Sequence, residues 1–241
     1  MRQRVFLTAE WRDIAMLNFA VDAALLQPLA PPGTELDFFE SRTYVSLVGF
    51  RFLRTRVLGC VVPFHQNFTE VNLRFYVKRH AGESVRRGVV FVREIVPRVA
   101  VAQIARLVFH ENYVSRPMSY EIKRSAPEDT TSAEYGWVEG GKQNALLVEG
   151  CGSAACPSPG TPEQFFIEHY WGYSRTPDGG CIEYEVAHPP WQTRAAQRAS
   201  FVGDGKRLYG DGLAGVLTSE PDSALLADGS PVTVFSGHRI S

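Results

Sequence analysis

Four residues spaced two apart, Glu70, Asn72, Arg74 and Tyr76, could do chemistry together; they lie in the stretch FTEVNLRFYV, residues 68–77. A strand sends alternate side chains to opposite faces, so these four share one face while Val71, Leu73, Phe75 and Val77 share the other. The apolar set requires a core. The polar set faces either water or a pocket. In a pocket, Glu70 is a candidate general base once burial lifts its pKa toward neutrality. Arg74 is a candidate carboxylate anchor, and Asn72 and Tyr76 are candidate hydrogen-bonding contacts. Lys78 extends the same face, but Arg79 and His80 beside it mark a strand end, where a solvated lysine is expected.

A second stretch, GVVFVREIVPRV at 88–99, adds Arg93, Glu94 and Arg98. Neighbours on a regular strand point to opposite faces, so Arg93 and Glu94 cannot both line one cavity. Regular alternation groups Glu94 with Val90 and Val92, and Arg93 with Val89, Phe91 and Ile95. An acid among aliphatics is a desolvated functional group or a strand end reaching water; the functional reading makes Glu94 a second candidate base. Arg93 and Arg98 are candidates for holding a carboxylate or enolate, with bracing of the sheet as the structural alternative. Arg106 and His110, four apart, share a helix face; His110 reads as a surface residue complementing the helix dipole.

These residues need elements to hold them. Runs rich in β-branched and aromatic residues predict strands at 43–52, 68–77, 88–96, 118–124, 134–140, 144–150, 181–188 and 232–235. Helices are expected at 22–29, at 99–110 (largely buried, since apolar residues cover most of its circumference) and from Thr161-Pro162-Glu163 onward, where Thr161 suits the N-cap and Pro162 the first helical position. Many strands with few helices predict one β-rich α+β domain over 1–241. FFIEHYWGY and HPPW read as aromatic packing.

The charge balance is near neutral, −1 overall, with 25 basic and 26 acidic residues and no basic stripe, so a nucleic-acid partner is not expected. No apolar run reaches the ~18 residues of a membrane span, and the N-terminus lacks the apolar segment of a signal peptide; cytoplasmic residence is expected. Cys60 reads as a small core residue. Cys151 and Cys156 read as loop thiols; a zinc set completed by His169 and Cys181 has no spacing that demands it, so neither metal nor cofactor is expected. G-x-S-x-G, the P-loop and H-E-x-x-H are absent from the sequence.

Long strings in a fixed order carry a resemblance. NFAVDAALLQPLAPPGTELDFFESRTYVSLVGFRF, FTEVNLRFYV, GVVFVREIVPRVAVAQIARLVFHENY with PMSY, FFIEHYWGYSR and HPPW together resemble the DUF2071, or YqjF-like, family, which belongs to the acetoacetate decarboxylase superfamily. The resemblance implies a curved antiparallel sheet closed into a cone or barrel, with a pocket inside and helices outside. It implies that Glu70, Asn72, Arg74 and Tyr76 face that pocket. Acetoacetate decarboxylases use a Schiff-base lysine that follows an Arg-Glu pair. Arg93-Glu94 resemble that pair, but Ile95-Val96-Pro97-Arg98 brings no lysine, and an Arg guanidinium cannot form the imine. The expectation is therefore a pocket for a small carboxylate or oxo acid without imine chemistry. The alternative is a metal-free lyase, isomerase or hydratase using a Glu base and an Arg anchor. Exposed sheet edges and helices would permit a homo-oligomer.

Overall fold

Residues 14–21, IAMLNFAV, are apolar at almost every position, the pattern of a strand buried on both faces. They end the first strand. The structure of the chain, a computed structural model, describes residues 4–126 and 129–240. In order it forms β1 (Val5–Val21), α1 (Ala23–Leu26) continued by a 3-10 turn, β2 (Glu35–Leu36), β3 (Thr43–Val57), β4 (Cys60–Val61), β5 (Phe68–Ala81), β6 (Ser84–Val96), α2 (Val99–Phe109), β7 (Tyr113–Ser115), β8 (Met118–Ser125), β9 (Thr130–Glu139) and β10 (Lys142–Cys151). There follow α3 (Pro162–Ile167), β11 (Trp171–Arg175), β12 (Cys181–Ala187), β13 (Thr193–Val202), α4 (Lys206–Leu217), β14 (Ser223–Phe235) and β15 (His238–Ile240).

The strands form one curved sheet. Seven of them, β12-β11-β6-β5-β3-β1-β14, run in sequence, and β14 pairs back to β12. The expected cone is thus present, but it is not a clean barrel. Its closure rests on two short seams: β11 meets β6 through Trp171↔Gly88 and Gly172↔Val89, and β12 meets β14 through Val186↔Val234 and Ala187↔Thr233. Nor is it wholly antiparallel. Both β7 and β11 lie parallel to β6, because a helical crossover such as β6-α2-β7 returns the chain in the same direction. Strands β13-β10-β9-β8 extend from β14 as a wing.

The wing folds over the outer face of the ring. Val71, Leu73, Phe75 and Val77 of β5 are fully buried there, in one cluster with Tyr135, Trp137 and Leu146 of the wing and Leu208, Leu213 and Leu217 of α4. A bulge at Asp13, with φ 55°, fixes this junction. The buried Asp13 carboxylate accepts from Arg51 Nε at 2.9 Å and from Arg124 of the wing, while Tyr135 Oη donates to the Asp13 carbonyl at 2.6 Å.

Three local expectations need correction. Helix α2 is not largely buried: only Ala102 and Phe109 are, and Val99, Ile104, Leu107 and Val108 are exposed. Cys60 is exposed in the two-residue β4 rather than in the core. The third helix stops at Ile167, one and a half turns after its Thr161 cap, and HYWGY leads into β11.

Gly49 sets how closely the wing approaches. A Cβ there would lie 2.5 Å from Tyr135 Cδ2. Overpacking of this kind costs about 1–3 kcal/mol, so Gly49→Ala is expected to lower the unfolding free energy from urea melts by that amount, and Tyr135→Phe, which leaves the ring in place, should not relieve it.

Candidate functional site

Inside the ring, on the face opposite the wing, lies a cavity of about 160 Å³. That is room for a small organic acid. Most of its wall is apolar: Trp11, Phe50, Phe52, Phe68, Phe91 and Trp191 contribute, and Val101 and Ile104 of α2 cover one side. One end is polar and gathers Glu70, Asn72, Arg74, Glu94, Glu111, Tyr113, His169 and Tyr184.

Strands β5 and β6 set this polar end. Asn72 pairs with Glu94 across the ladder, so both side chains face the cavity, and Leu73 pairs with Arg93, so both face away. The register then slips: Arg74 pairs with Phe91, leaving Val92 as an extra residue. This bulge reverses the alternation. Val89 and Phe91 therefore share the cavity with Glu94, whereas Val90 and Val92 pack in the outer core. The regular alternation read from the sequence had grouped them the other way.

Helix α2 brings the rest. His110 ends it in the left-handed conformation, φ 55°, and sends the chain back along β6. There Glu94↔Tyr113 pair in parallel, and the Glu94 N–H donates to the Asn112 carbonyl at 3.2 Å. Glu111 and Tyr113 consequently stand beside Glu94. Tyr113 Oη donates to Glu70 Oε2 at 3.0 Å, Asn72 Nδ2 donates to Glu70 Oε1 at 2.9 Å, and Tyr184 Oη donates to Glu111 Oε1 at 2.8 Å. Arg74 Nη2 donates to the Phe166 carbonyl at 3.1 Å.

Three carboxyls buried in one place cannot all ionise cheaply. Burial pushes Glu70 up to about 7, against hydrogen bonds from Asn72 and Tyr113 and the charge of Arg74. Burial pushes Glu111 up to about 8, opposed by Tyr184 and assisted by Glu70. Glu94 lies well above the usual carboxylate range, first through burial and then through the charges of Glu111 and Glu70. His169 moves the other way, down to about 4, because burial disfavours the imidazolium more than Asp37 favours it. Near neutrality the polar end therefore holds Glu94 and Glu111 largely protonated, Glu70 about half ionised, a neutral imidazole and one guanidinium.

The candidates from the sequence divide as follows. Glu70, Asn72, Arg74 and Glu94 come together on the cavity wall. Tyr76 shares their face but is packed against Phe165, Phe166 and His169, with its hydroxyl on Ser46 Oγ at 2.5 Å. Arg93 is on the opposite face, donating to the Leu208 carbonyl at 3.3 Å. Arg98 precedes α2 as an exposed residue, turned out by the Pro97 turn, and does not line the cavity. His110 is exposed. Among the described residues no lysine lines the cavity: Lys78, Lys123, Lys142 and Lys206 pair with Glu35, Glu121, Asp204 and Asp211. The four cysteines are free, and no group of His, Cys, Asp and Glu among the described residues is arranged to hold a metal ion. No described helix is long and apolar enough to cross a membrane. Sequence reasoning gave no role to Glu111, Tyr113, Tyr184 or Asp37, and read His169 as packing or a remote zinc ligand.

A curved sheet around an internal cavity is the architecture of acetoacetate decarboxylase-like enzymes. The structure resembles the acetoacetate decarboxylase of Legionella pneumophila, with a TM-score of 0.69 and 13% identity over 98% of this chain and 87% of that one. It also resembles the enduracididine biosynthesis enzyme MppR complexed with pyruvate, with a TM-score of 0.66 and 13% identity over 98% and 90% of the two chains. At such identities the likeness is one of fold. The chain itself belongs to the DUF2071 family, described as an uncharacterized conserved protein, whose model matches residues 8–231. A Bacillus subtilis relative, the uncharacterized protein YqjF, is 32% identical over 195 residues, 78% of this chain and 74% of that protein.

The raised carboxyls carry a stability consequence. A carboxyl whose pKa rises on folding contributes stability below its unfolded value, 4.5, and loses it as pH climbs through the folded value. Stability is expected to decline between pH 4.5 and about 8 through Glu70, Glu94 and Glu111. Glu111→Gln should flatten that decline in urea melts taken across the range; an unchanged slope would mean that Glu111 ionises as an ordinary exposed acid.

Proposed function

We propose that the cavity binds a small oxo acid, or a related carboxylate, with an apolar body. One observation carries this reading. Asn72 Oδ1, Arg74 Nε and Glu94 Oε2 are buried, belong to residues on one cavity wall, and have no hydrogen-bond partner among the described residues. Each such atom costs about 1–3 kcal/mol when nothing meets it. A ligand supplying both donor and acceptor groups would meet all three. The charges favour an acid: Glu94 and Glu111 stay largely protonated and Glu70 is only part ionised, so Arg74 keeps a positive charge at the polar end that a carboxylate would neutralise. A protonated Glu94 can then donate to a ligand carbonyl. Apolar walls suit the remainder of the molecule. The fold relative MppR, solved with pyruvate, shows that this architecture accommodates an oxo acid in another protein.

A thermal-shift screen of 2-oxo, 3-oxo and unsaturated acids tests the reading. At ~100 times its dissociation constant a ligand adds about 2.7 kcal/mol of stability. The shift is expected in wild type, lost in Arg74→Ala and reduced in Glu94→Gln. An acid that shifts all three equally is bound elsewhere.

A second reading, proton transfer next to the ligand carbonyl, is favoured by the raised carboxyl pKa values: acids that titrate near neutrality are effective general acids and bases. Glu70, at about 7, would be the base, Glu94 the acid that donates to the carbonyl oxygen and Arg74 the anchor. In deuterium oxide, NMR should show exchange of ligand protons α to the carbonyl, abolished by Glu70→Gln while the ligand's thermal shift persists. Borohydride with acetoacetate should leave the intact mass unchanged, since the lysines lie outside the cavity.

A further inference from the structure

His169 lines the cavity and has no part in the reading above, and it is tightly constrained. Its Nε2 lies 3.2 Å from Asp37 Oδ2. Arg87 Nε donates to the same oxygen at 2.6 Å, and the Asp37 N–H donates to the Tyr76 carbonyl at 3.0 Å, so the aspartate is fixed to β5 and β6. Tyr76 and Phe165 hold the imidazole between them, at ring-centroid distances of 4.7 and 5.0 Å. The carboxylate determines the tautomer: Nε2 carries the proton and donates it, leaving Nδ1 with a lone pair. That Nδ1 is buried, belongs to a cavity-lining residue, and has no partner among the described residues.

We propose that His169, oriented by Asp37, is a ligand-binding acceptor that selects acids bearing a hydroxyl or enol O–H near the carboxylate. The proposal rests on the carboxylate reading and narrows its substrate class. Asp37 and Arg87 would be positioning residues, acting through the ring. A bracing role alone explains the Nε2 bond and the aromatic contacts, but it leaves the buried Nδ1 without a partner among the described residues. Arg74 stacks over the Tyr76 ring and reaches the Phe166 carbonyl, three residues before His169. A carboxylate on Arg74 would therefore sit near His169, and a hydroxyl on the adjacent carbon would be the donor in reach. Burial keeps the imidazole neutral, so Nδ1 stays an acceptor across the working pH range.

The test has two arms. Side-chain 15N spectra of the uniformly labelled protein should show His169 as the neutral Nε2–H tautomer, and Asp37→Asn should perturb it; an Nδ1–H tautomer in wild type overturns the assignment. Calorimetry should then compare a 2-hydroxy acid with the same acid lacking the hydroxyl. One well-made hydrogen bond predicts about a tenfold preference for the hydroxy acid in wild type. His169→Phe, which keeps an aromatic ring but removes the acceptor, should erase the preference, read as the ratio of the two affinities; His169→Asn, whose amide oxygen can occupy the Nδ1 position, should retain part of it. If the plain acid binds and the hydroxyl adds nothing, or if His169→Phe keeps the preference, the His169 role is wrong and the carboxylate reading stands. If neither acid binds wild type, both fall.

Discussion

From Phe68 to Val77 strand β5 has no face in water, and much of the molecule follows from that. Val71, Leu73, Phe75 and Val77 pack in the outer core with the wing and α4, and Phe68, Glu70, Asn72 and Arg74 meet the interior of the ring. Polar side chains confined to an interior must satisfy each other or change protonation state. Here they do both. Asn72 and Tyr113 serve Glu70, Tyr184 serves Glu111, and the carboxyls hold their protons to pH values at which surface acids have long lost them. The electrostatics of the site are thus a consequence of covering a strand on both sides.

The sequence made half of this arrangement legible. Alternation in 68–77 separates two faces without ambiguity, and the Thr161-Pro162-Glu163 cap places α3 correctly. The rest was hidden for identifiable reasons. A register slip at Val92 inverts the grouping around Glu94 by a single unpaired residue, which leaves no compositional trace. Glu111 and Tyr113 reach the cavity through a helix reversal that periodicity does not describe. Strand β13, TRAAQRASFV, reads as a helix by propensity, and the glycines of KRLYGDGLAGVL conceal α4. Asp37 lies 132 positions from the histidine it orients, a distance only the fold can close.

The fold likeness and the residues pull apart in an informative way. Proteins of this architecture include decarboxylases, yet every lysine of this chain is committed to an acid outside the cavity. What this member places inside is a set of acids, one arginine and an oriented imidazole. A shared scaffold with a different polar end is the ordinary relation between fold and chemistry.

The ring is closed by two seams of two residue pairs each, while the strands between them are joined by long ladders. A hoop riveted along its whole length has one circumference. A hoop fastened at two narrow clasps has several, and loosening a clasp would disturb few backbone bonds. Trp171, Gly172 and Val186 sit at those clasps and also line the cavity. The girth of the chamber is therefore governed at its own wall, so that members of one family could be tailored to ligands of different width by altering a few residues at the clasps while the ladders stay as they are.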